Sequence, residues 1–526
     1  MGALTGVVRS QNGRPVAGAR LVAADTTRAI VTNRTGRFRL AHPPGDSLRL
    51  VVSADGYRPD TFRFAPLRTA EERELTLVLA PLYRLIPSVV VANPERPLLN
   101  TESATTGGAI ERAEVVALPT DARDPLALLF NVPGVTQATG FFGDAPPLSF
   151  NAQNALYTSY QLDGLDNTEG FLGGPRVEFP LAGLARVEAL VNGYSAQVGR
   201  SPSGVVQQYS RAGTNERHGE LFVYSRPGTS WGLDGDTRVP AGADAAAVRR
   251  RQDGFRRHQV GGALSGPLIR DRTYYALAAE YTDENEDRIA STALATFLGT
   301  ERRQKTKLYA RFDHAWGPTQ FTTLRAAFSA TQRAGNGSGI VTPEADNITQ
   351  REGGLYALTH RSVLAAGLAS NTLSAQLGTY RWNFPPRQGA GNPHVTIVGP
   401  GPAFVPQAVV GSTNFVFDER ETQWQLRDVF ERAMGPRHTL RVGGDLLHAR
   451  FRLFAAGTNP LGSYVVVDDG TIVPPAGRQV SFADIPATVT VLSYTVDARP
   501  QRVNRSQTLI GIFAEDVWRP TPTIVV

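Results

Sequence analysis

From Glu216 onward the chain repeats one pattern, long segments in which apolar and polar side chains alternate one by one. Thr273, Tyr275, Leu277, Ala279 and Tyr281 share one face of such a segment, while Arg272, Glu280 and Thr282 lie on the other. The next sets Leu308, Ala310, Phe312 and Trp316 opposite Lys305, Lys307, Arg311 and Asp313. A third sets Leu440, Val442 and Leu446 against Thr439, Arg441 and Asp445. Successive side chains of a β-strand point to opposite faces, so this period dictates strands with one greasy and one wet side. Segments of roughly ten residues divided in this way are what a membrane-spanning barrel requires. A large soluble sandwich or propeller also alternates, its apolar face meeting another sheet. Long polar stretches after alternate strands, 283–290 and 383–411, favour the barrel, which pairs short turns at one end with long loops at the other. Tyr281, Trp316, Tyr380, Trp382 and Trp518 fall near strand ends, as interfacial aromatic girdles do.

No run of apolar residues approaches the length of about 18 that a spanning helix needs, so any membrane crossing is by strands. At 526 residues the chain suggests about three domains. Its 52 glycines, 36 prolines and 19% charged residues describe a turn-rich β protein rather than a disordered chain or a coiled coil. The net charge is +6, but the basic residues are thinly spread. Arg249–Arg251 and Arg256–Arg257 are small clusters, too small to suggest a nucleic-acid partner. Lys305 and Lys307 are the only lysines, a bias that reads as genomic base composition. The absence of cysteine excludes disulfides, thiolate metal sites and cysteine nucleophiles. The first residues, Met1 to Val8, have neither a basic region nor an apolar core of signal-peptide type. An exported protein would therefore have its start elsewhere.

Residues 2 to about 80 read as short strands between turns: Leu4–Val8, Ala19–Ala23, Ile30–Thr32, Arg37–Leu40, Ser47–Val52 and Glu74–Leu79. That spacing predicts a small antiparallel sandwich. Gly6-Val7-Val8, Gly13 through Ala19, Thr35-Gly36-Arg37-Phe38 and Gly56-Tyr57 together resemble the carboxypeptidase regulatory-like domain, an accessory sandwich. Pro81, Pro87, Pro94 and Pro97 then mark an extended linker over 81–105. It holds one apolar patch, Ser88-Val89-Val90-Val91-Ala92, which as a bare pentamer also suits a last strand of the sandwich.

The stretch 106–212 mixes helix and strand. Asp124 as cap, Pro125 at the first turn and the apolar Leu126, Leu128, Leu129 and Phe130 predict a helix. Strands are expected over 157–162, closed by Asp163-Gly164, and over 185–191. Six pieces follow in order: Val132-Pro133-Gly134-Val135; Tyr160 through Leu165; Leu184 through Leu190 with Glu188; Tyr194 through Arg200 with Gly199; Ser203-Gly204-Val205-Val206; and Gly213-Thr214-Asn215. Together they resemble the plug of TonB-dependent outer-membrane receptors, in the subgroup with an adhesin-like barrel and an N-terminal sandwich. The Gly262–Leu268 and Asp271–Tyr275 segments resemble an early barrel hairpin of that subgroup. Gln207 through Arg211 and Phe150 through Gln153 depart from the family's usual residues.

The resemblance implies a mainly β protein. Its parts would be an N-terminal β-sandwich (1–80), a linker (81–105), an α/β plug domain (106–212) and a partial, truncated antiparallel transmembrane β-barrel (213–526). It implies a location in the bacterial outer membrane with the N-terminal domain in the periplasm. A scarce solute (siderophore, cobalamin, glycan or peptide) would be imported with drive from a TonB-type energy-coupling protein, without enzymatic activity or cofactor. On this reading Ser88, Val89, Val90, Val91 and Ala92 form the TonB box. Val132, Pro133, Gly134, Asp163, Gly164, Glu188, Gly199 and Gly204 belong to the plug motifs. Phe141, Phe142, Asn151, Gln153 and Asn154 lie in a ligand-facing stretch, which also reads as a mobile loop.

Roughly ten to twelve strands are expected, against about 22 in plugged transporters, and the final Val526 is not the aromatic residue that usually ends such a barrel. Zinc-helix, phosphate-loop and nucleophile-elbow motifs are absent from the sequence. Asp163, Asp166 and Glu169 offer oxygen ligands for Ca²⁺, though a solvated loop suits them better. Two other classes remain open: a non-transporting surface adhesin or secretion-linked barrel, and a soluble secreted enzyme accessory module.

Overall fold

The structure, a computed structural model, describes residues 2–10, 15–23, 29–42, 48–54, 57, 59–65, 68, 71–79, 105–118, 123–138, 148–226, 256–291, 294, 296–334, 340–388, 391–435, 437–473, 479–496, 501–521 and 526. Seven strands come first: β1 Gly2–Ser10, β2 Arg20–Ala23, β3 Ala29–Val31, β4 Arg37–His42, β5 Leu48–Ser53, β6 Asp60–Phe64 and β7 Glu72–Leu79. They form two sheets, ordered β4-β1-β7 and β3-β2-β5-β6, around a core of Leu4, Val8, Leu21, Leu50, Val52, Leu77 and Leu79. The buried Thr32 hydroxyl accepts from the Ala19 N–H and donates to the Val16 carbonyl, which removes the cost of enclosing a polar group. Sequence pattern misses β6, a five-residue edge strand whose alternation is too short to stand out.

An inner unit follows: β8 Thr106–Glu111, helix α1 Arg112–Ala117, β9 Val135–Gln137, β10 Leu148–Phe150, β11 Thr158–Leu162, β12 Leu165–Asp166, β13 Leu184–Asn192 and β14 Gly204–Ser210. Its main sheet runs β12-β11-β14-β13-β8, with β11 and β14 parallel. The helix expected after Asp124 is a 3₁₀ helix, Pro125–Asn131. Asp124 caps it as predicted by accepting the Leu126 N–H at 3.0 Å. Seven residues between the caps Asp124 and Val132 leave room for about two turns, so packing of Leu128 and Leu129 rather than intrinsic α propensity sets the winding.

The rest of the chain gives β15 His218–Arg226, β16 Arg256–Ile269, β17 Thr273–Ser291, β18 Thr296–Ala315, β19 Gln320–Ala334, β20 Ile348–Leu364, β21 Ala369–Asn383, β22 His394–Val398, β23 Pro406–Gly411, β24 Val416–Met434, β25 His438–Ala456, β26 Ser463–Val467, β27 Thr490–Thr495 and β28 Gln501–Trp518. Ten of these make one antiparallel meander, β15-β16-β17-β18-β19-β20-β21-β24-β25-β28, in which β15 and β28 are the edges and are not paired with each other. Residues 283–290, expected as a loop, continue β17 instead and pair with β18 as far as Ser291. A strand that outruns the bilayer keeps its ladder, so its polar end needs no turn.

At one end the strands are joined by tight turns at 270–272, 316–319 and 365–368, while at the other end the connections are longer, apart from 292–295. Two of these, together with Leu294, build a second sheet, β23-β22-β26-β27, over Val395, Ile397, Ala408, Val410 and Val466. The Glu344 carboxylate ties a third connection to this cap by accepting the N–H groups of Gly411 and Phe482.

The large sheet is inverted relative to a soluble protein. Leu277 and Phe312 are 38% and 42% exposed, whereas Glu280 and Asp313 are 7% and 1% exposed. Leu308, Leu324, Leu358, Leu373, Trp424 and Leu446 continue the exposed apolar face, and Lys307, Arg311, Gln376, Glu421 and Gln425 the buried polar one. Two stacked sheets would have buried the leucines, so the sandwich alternative for this region fails. The expected outcome for Leu308→Arg is a loss of about 2–4 kcal/mol in folding from urea into lipid vesicles. An unchanged midpoint would mean that this face meets water.

Candidate functional site: the seat of the inner unit

The inner unit is held on the polar face of the large sheet by a strap of chain, residues 163–183. It begins at the turn between β11 and β12, where Asp163 and Gly164 both have positive φ (49° and 80°), as a two-residue hairpin demands. The Asp163 carboxylate accepts from the Ser210 N–H and hydroxyl and pairs with Arg325 at 2.6 Å. Burial alone would push this acid up, but the guanidiniums of Arg325 and Arg311 and the two Ser210 bonds hold it below the ordinary value.

Asp166 is gripped by three glutamines of the sheet. Its N–H donates to Gln425, its carbonyl accepts from Gln376 and its carboxylate from Gln423. Beyond it, the Glu169 carboxylate accepts the N–H groups of Phe171, Leu172 and Gly174 and so fixes its own loop. Phe171 then packs against Trp382 and Phe417, near the end of the sheet that carries the cap. The three acids considered for Ca²⁺ therefore diverge: Asp163 toward Arg325, Asp166 toward Gln423 and Glu169 toward its own backbone.

Arg176 is fully buried and donates to Glu421 at 2.5 Å and to the Thr168 carbonyl at 2.8 Å. Glycine is what lets the strap come this close: a Cβ at Gly353 would lie 1.9 Å from the Arg176 carbonyl oxygen. Two residues on, the Glu178 N–H donates to the Ser329 hydroxyl, and its carboxylate meets Lys305 Nζ at 2.9 Å and Lys307 Nζ at 3.5 Å. Burial opposes ionisation of Glu178, yet the two ammoniums outweigh it and hold the acid far below its usual range. Phe179 meets the Tyr309 ring edge-on, and the Ala182 N–H donates to Glu280, which also pairs with Arg123. The strap thus crosses from β24 through β20, β19 and β18 to β17. Further bonds come from Arg112 to Glu220, Arg200 to Asp445 and Ser195 to Glu515.

A cavity of about 430 Å³ remains between the inner sheet and strands β18 to β24, lined in part by Gln161, Asp163, Gln207, Arg311, Arg325 and Arg427. Its charges are matched within the protein. Arg311 pairs with Asp313, and Arg427 donates to the carbonyls of Gly164 and Gln197.

Of the eight plug-motif positions, Asp163 is the one with a side-chain bond to the sheet, and Gly164 meets it through its carbonyl. Val132, Pro133 and Gly134 (φ 87°) form the turn after the 3₁₀ helix, with Val132 in the core. Glu188 pairs with Arg186 within the inner sheet, Gly204 lies against the Phe150 ring, and Gly199 precedes the Arg200 that reaches Asp445. Asn151, Gln153 and Asn154 are exposed, and their bonds stay inside the inner unit: Asn151 to Asn192, Gln153 to Ser149 and Asn154 to Leu156. Phe141, Phe142 and the segment Ser88 to Ala92 lie outside the described residues. Sequence reasoning missed Arg176, Glu178 and Glu421. The signal available was the inward charge on strands and the two lone lysines.

Residues 3–80 match the carboxypeptidase regulatory-like domain family, and residues 276–526 match the outer membrane beta barrel domain family. A curated relative, the TonB-dependent transporter Oar of Myxococcus xanthus, is 24% identical over 284 residues, which are 51% of this chain and 25% of that protein. Among solved structures, the outer membrane transporter YddB of Escherichia coli superposes with a TM-score of 0.56 at 11% identity, covering 78% of this chain and 55% of that one. The siderophore receptor PirA of Acinetobacter baumannii gives 0.50 at 17% identity, covering 80% and 55%. These likenesses show the fold. The chain spans about half the length of the solved structures and a quarter of the curated relative.

Removing Arg176 strands a buried carboxylate. Arg176→Ala is expected to lose about 3–5 kcal/mol in denaturant titration, with the Phe171–Trp382 contact loosening in parallel as Trp382 emission shifts red. The Asp163 pairing has a pH signature. Because its acid is depressed in the fold, its contribution is full above the ordinary value of 3.8 and fades as pH falls through the lower folded value. Asp163→Asn should flatten that acid limb when unfolding midpoints are measured from neutral pH down to about 3; an identical limb in both proteins would remove Asp163 from the seat.

Proposed function

We propose that this chain, an outer-membrane β-barrel protein homologous to TonB-dependent transporters, is a receptor that takes up a scarce solute past a plug formed by residues 106–212. The observation that carries the reading is the strap. We read an inner globule bonded to the polar face of an otherwise lipid-compatible sheet as the filling of a bore, and a filled bore serves gated passage rather than free diffusion. We divide the chain into a periplasmic sandwich (1–80), a linker (81–105), the plug and a barrel portion (213–526). The linker patch Ser88 to Ala92 is the part we assign to strand addition by an energy-coupling protein of TonB type.

The solute class we favour is a siderophore-like small molecule, in keeping with a structural neighbour described as a siderophore receptor. Cobalamin, glycan and peptide are the other classes that this architecture serves. Asn151, Gln153 and Asn154, with Phe141 and Phe142, remain our candidates for the ligand face. Relatives that are transporters and receptors support a non-enzymatic role. One feature favours a second reading, a surface adhesin that does not transport: the folded cap β23-β22-β26-β27 is a ready platform for a large partner.

The two readings differ in their dependence on energy coupling. Val90→Pro removes a ladder donor from the patch. The expected result is about tenfold or greater weakening of binding to the periplasmic domain of a TonB-type protein, measured by calorimetry, with outer-membrane assembly intact. Equal binding by both proteins would take the coupling role away from Ser88–Ala92.

A further inference from the structure

The chain carries 54 basic residues of the lysine and arginine type, and only two of them, Lys305 and Lys307, are lysines. Both point inward from β18, and both meet one side chain, Glu178 of the strap. Lys307 is almost wholly enclosed, with 8% of its side chain exposed. The carboxylate lies 2.9 and 3.2 Å from Lys305 Nζ and 3.5 Å from Lys307 Nζ, beside the Ser329 hydroxyl that accepts from the Glu178 N–H. Two ammoniums meet this one carboxylate directly, while the carboxylates of Asp124 and Glu280 act on Lys307 from farther off. Glu280, directly across the ladder from Lys307, is itself bonded to Arg123 and the Ala182 N–H. Arg351, on β20 one strand beyond β19, adds a further cation to the field felt by Glu178.

Lysine and arginine differ in what they do for an anion. Arginine holds a carboxylate in a fixed fork, whereas an ammonium is a compact, strongly hydrated charge with rotatable donors that exchanges one oxygen partner for another. The strap's other deep pair, Arg176 with Glu421, is the arginine kind. We propose that Lys305, Lys307 and Ser329 form an anion site that Glu178 occupies while the plug is seated, and that a carboxylate- or phosphate-bearing group takes it when the strap moves away. The Glu178 carboxylate is the stand-in for that group. The site is one the passing solute meets, so its place in transport rests on the import reading above; the anion site itself does not.

The scarcity of lysine makes the test selective, since apart from the chain's α-amine an amine-acylating ester finds only these two residues. The full chain, folded in lipid vesicles, is treated with acetyl N-hydroxysuccinimide ester, and modification at 305 and 307 is followed by peptide mass spectrometry. Seated lysines should react slowly. In Glu178→Ala they should react on the order of tenfold faster, and inorganic phosphate should return the rate to that of the parent protein, while glucose and chloride at matched ionic strength should not. Glu178→Gln, which keeps the shape and loses the charge, must behave alike and carries the test if the alanine variant fails to assemble. The Lys305→Arg, Lys307→Arg protein should show no labelling at these positions. Equal rates with and without Glu178, or no protection by phosphate, overturn the site. Protection by phosphate alongside unimpaired coupling-protein binding by Val90→Pro would keep the anion site and remove the coupling segment assigned above.

Discussion

Everything in this molecule follows from one requirement: a sheet whose outer face meets lipid must find polar company for its inner face. Lipid offers the backbone no partners, so the strands satisfy one another, and side chains sort by face into leucine outward and charge inward. The inward carboxylates, glutamines, arginines and lysines then need hydration or matching groups. The strap 163–183 provides them strand by strand, from Glu421 through Ser329 and Lys305 to Glu280. Seating therefore combines electrostatic and hydrogen-bond register along one short segment with the packing of Leu172, Val177, Phe179 and Leu181 on apolar residues of the wall.

That division explains what the sequence disclosed. Period-two alternation is a local property, so the inward and outward faces of β17 and β18 could be read residue by residue, and Leu277, Phe312, Glu280 and Asp313 all lie on the face expected of them. Turn chemistry is local too, which is why Asp163-Gly164 and the Asp124 cap were legible. Arg176 and Glu421, by contrast, are 245 residues apart, and nothing in either neighbourhood announces the other. The same holds for Glu178 and Lys305, 127 residues apart. The extension of β17 through 283–290 was hidden for a different reason. Polar composition signals a loop when a strand is imagined to end at the lipid, and this ladder continues beyond it.

The acidic trio shows how proximity in sequence misleads. Asp163, Asp166 and Glu169 share seven residues of chain, a spacing that invites a cation. The β-hairpin and the loop after it turn the three carboxylates in different directions. Asp163 pairs with a wall guanidinium, Asp166 with wall amides, and Glu169 closes its loop on three N–H groups. Once each carboxylate has a protein donor, the local demand for a metal falls away, and what looked like one site becomes three fasteners.

The polar part of the seat has a thermodynamic consequence that its apolar part lacks. Withdrawing an apolar face into a wet bore would cost about 25 cal/mol for each Å² newly exposed to water, and a seat of ordinary interface size would hold the globule almost permanently. Ion pairs behave otherwise. The desolvation that made Arg176–Glu421 and Glu178–Lys305 costly to bury is returned as hydration when they part, so the net difference between docked and withdrawn states is small beside the gross interaction. The strap's aromatic contacts with the wall, among the described residues, are Phe171 on Trp382 and Phe417 and Phe179 on Tyr309. A globule held in this way has a defined position, fixed by ion pairs and by these ring contacts together.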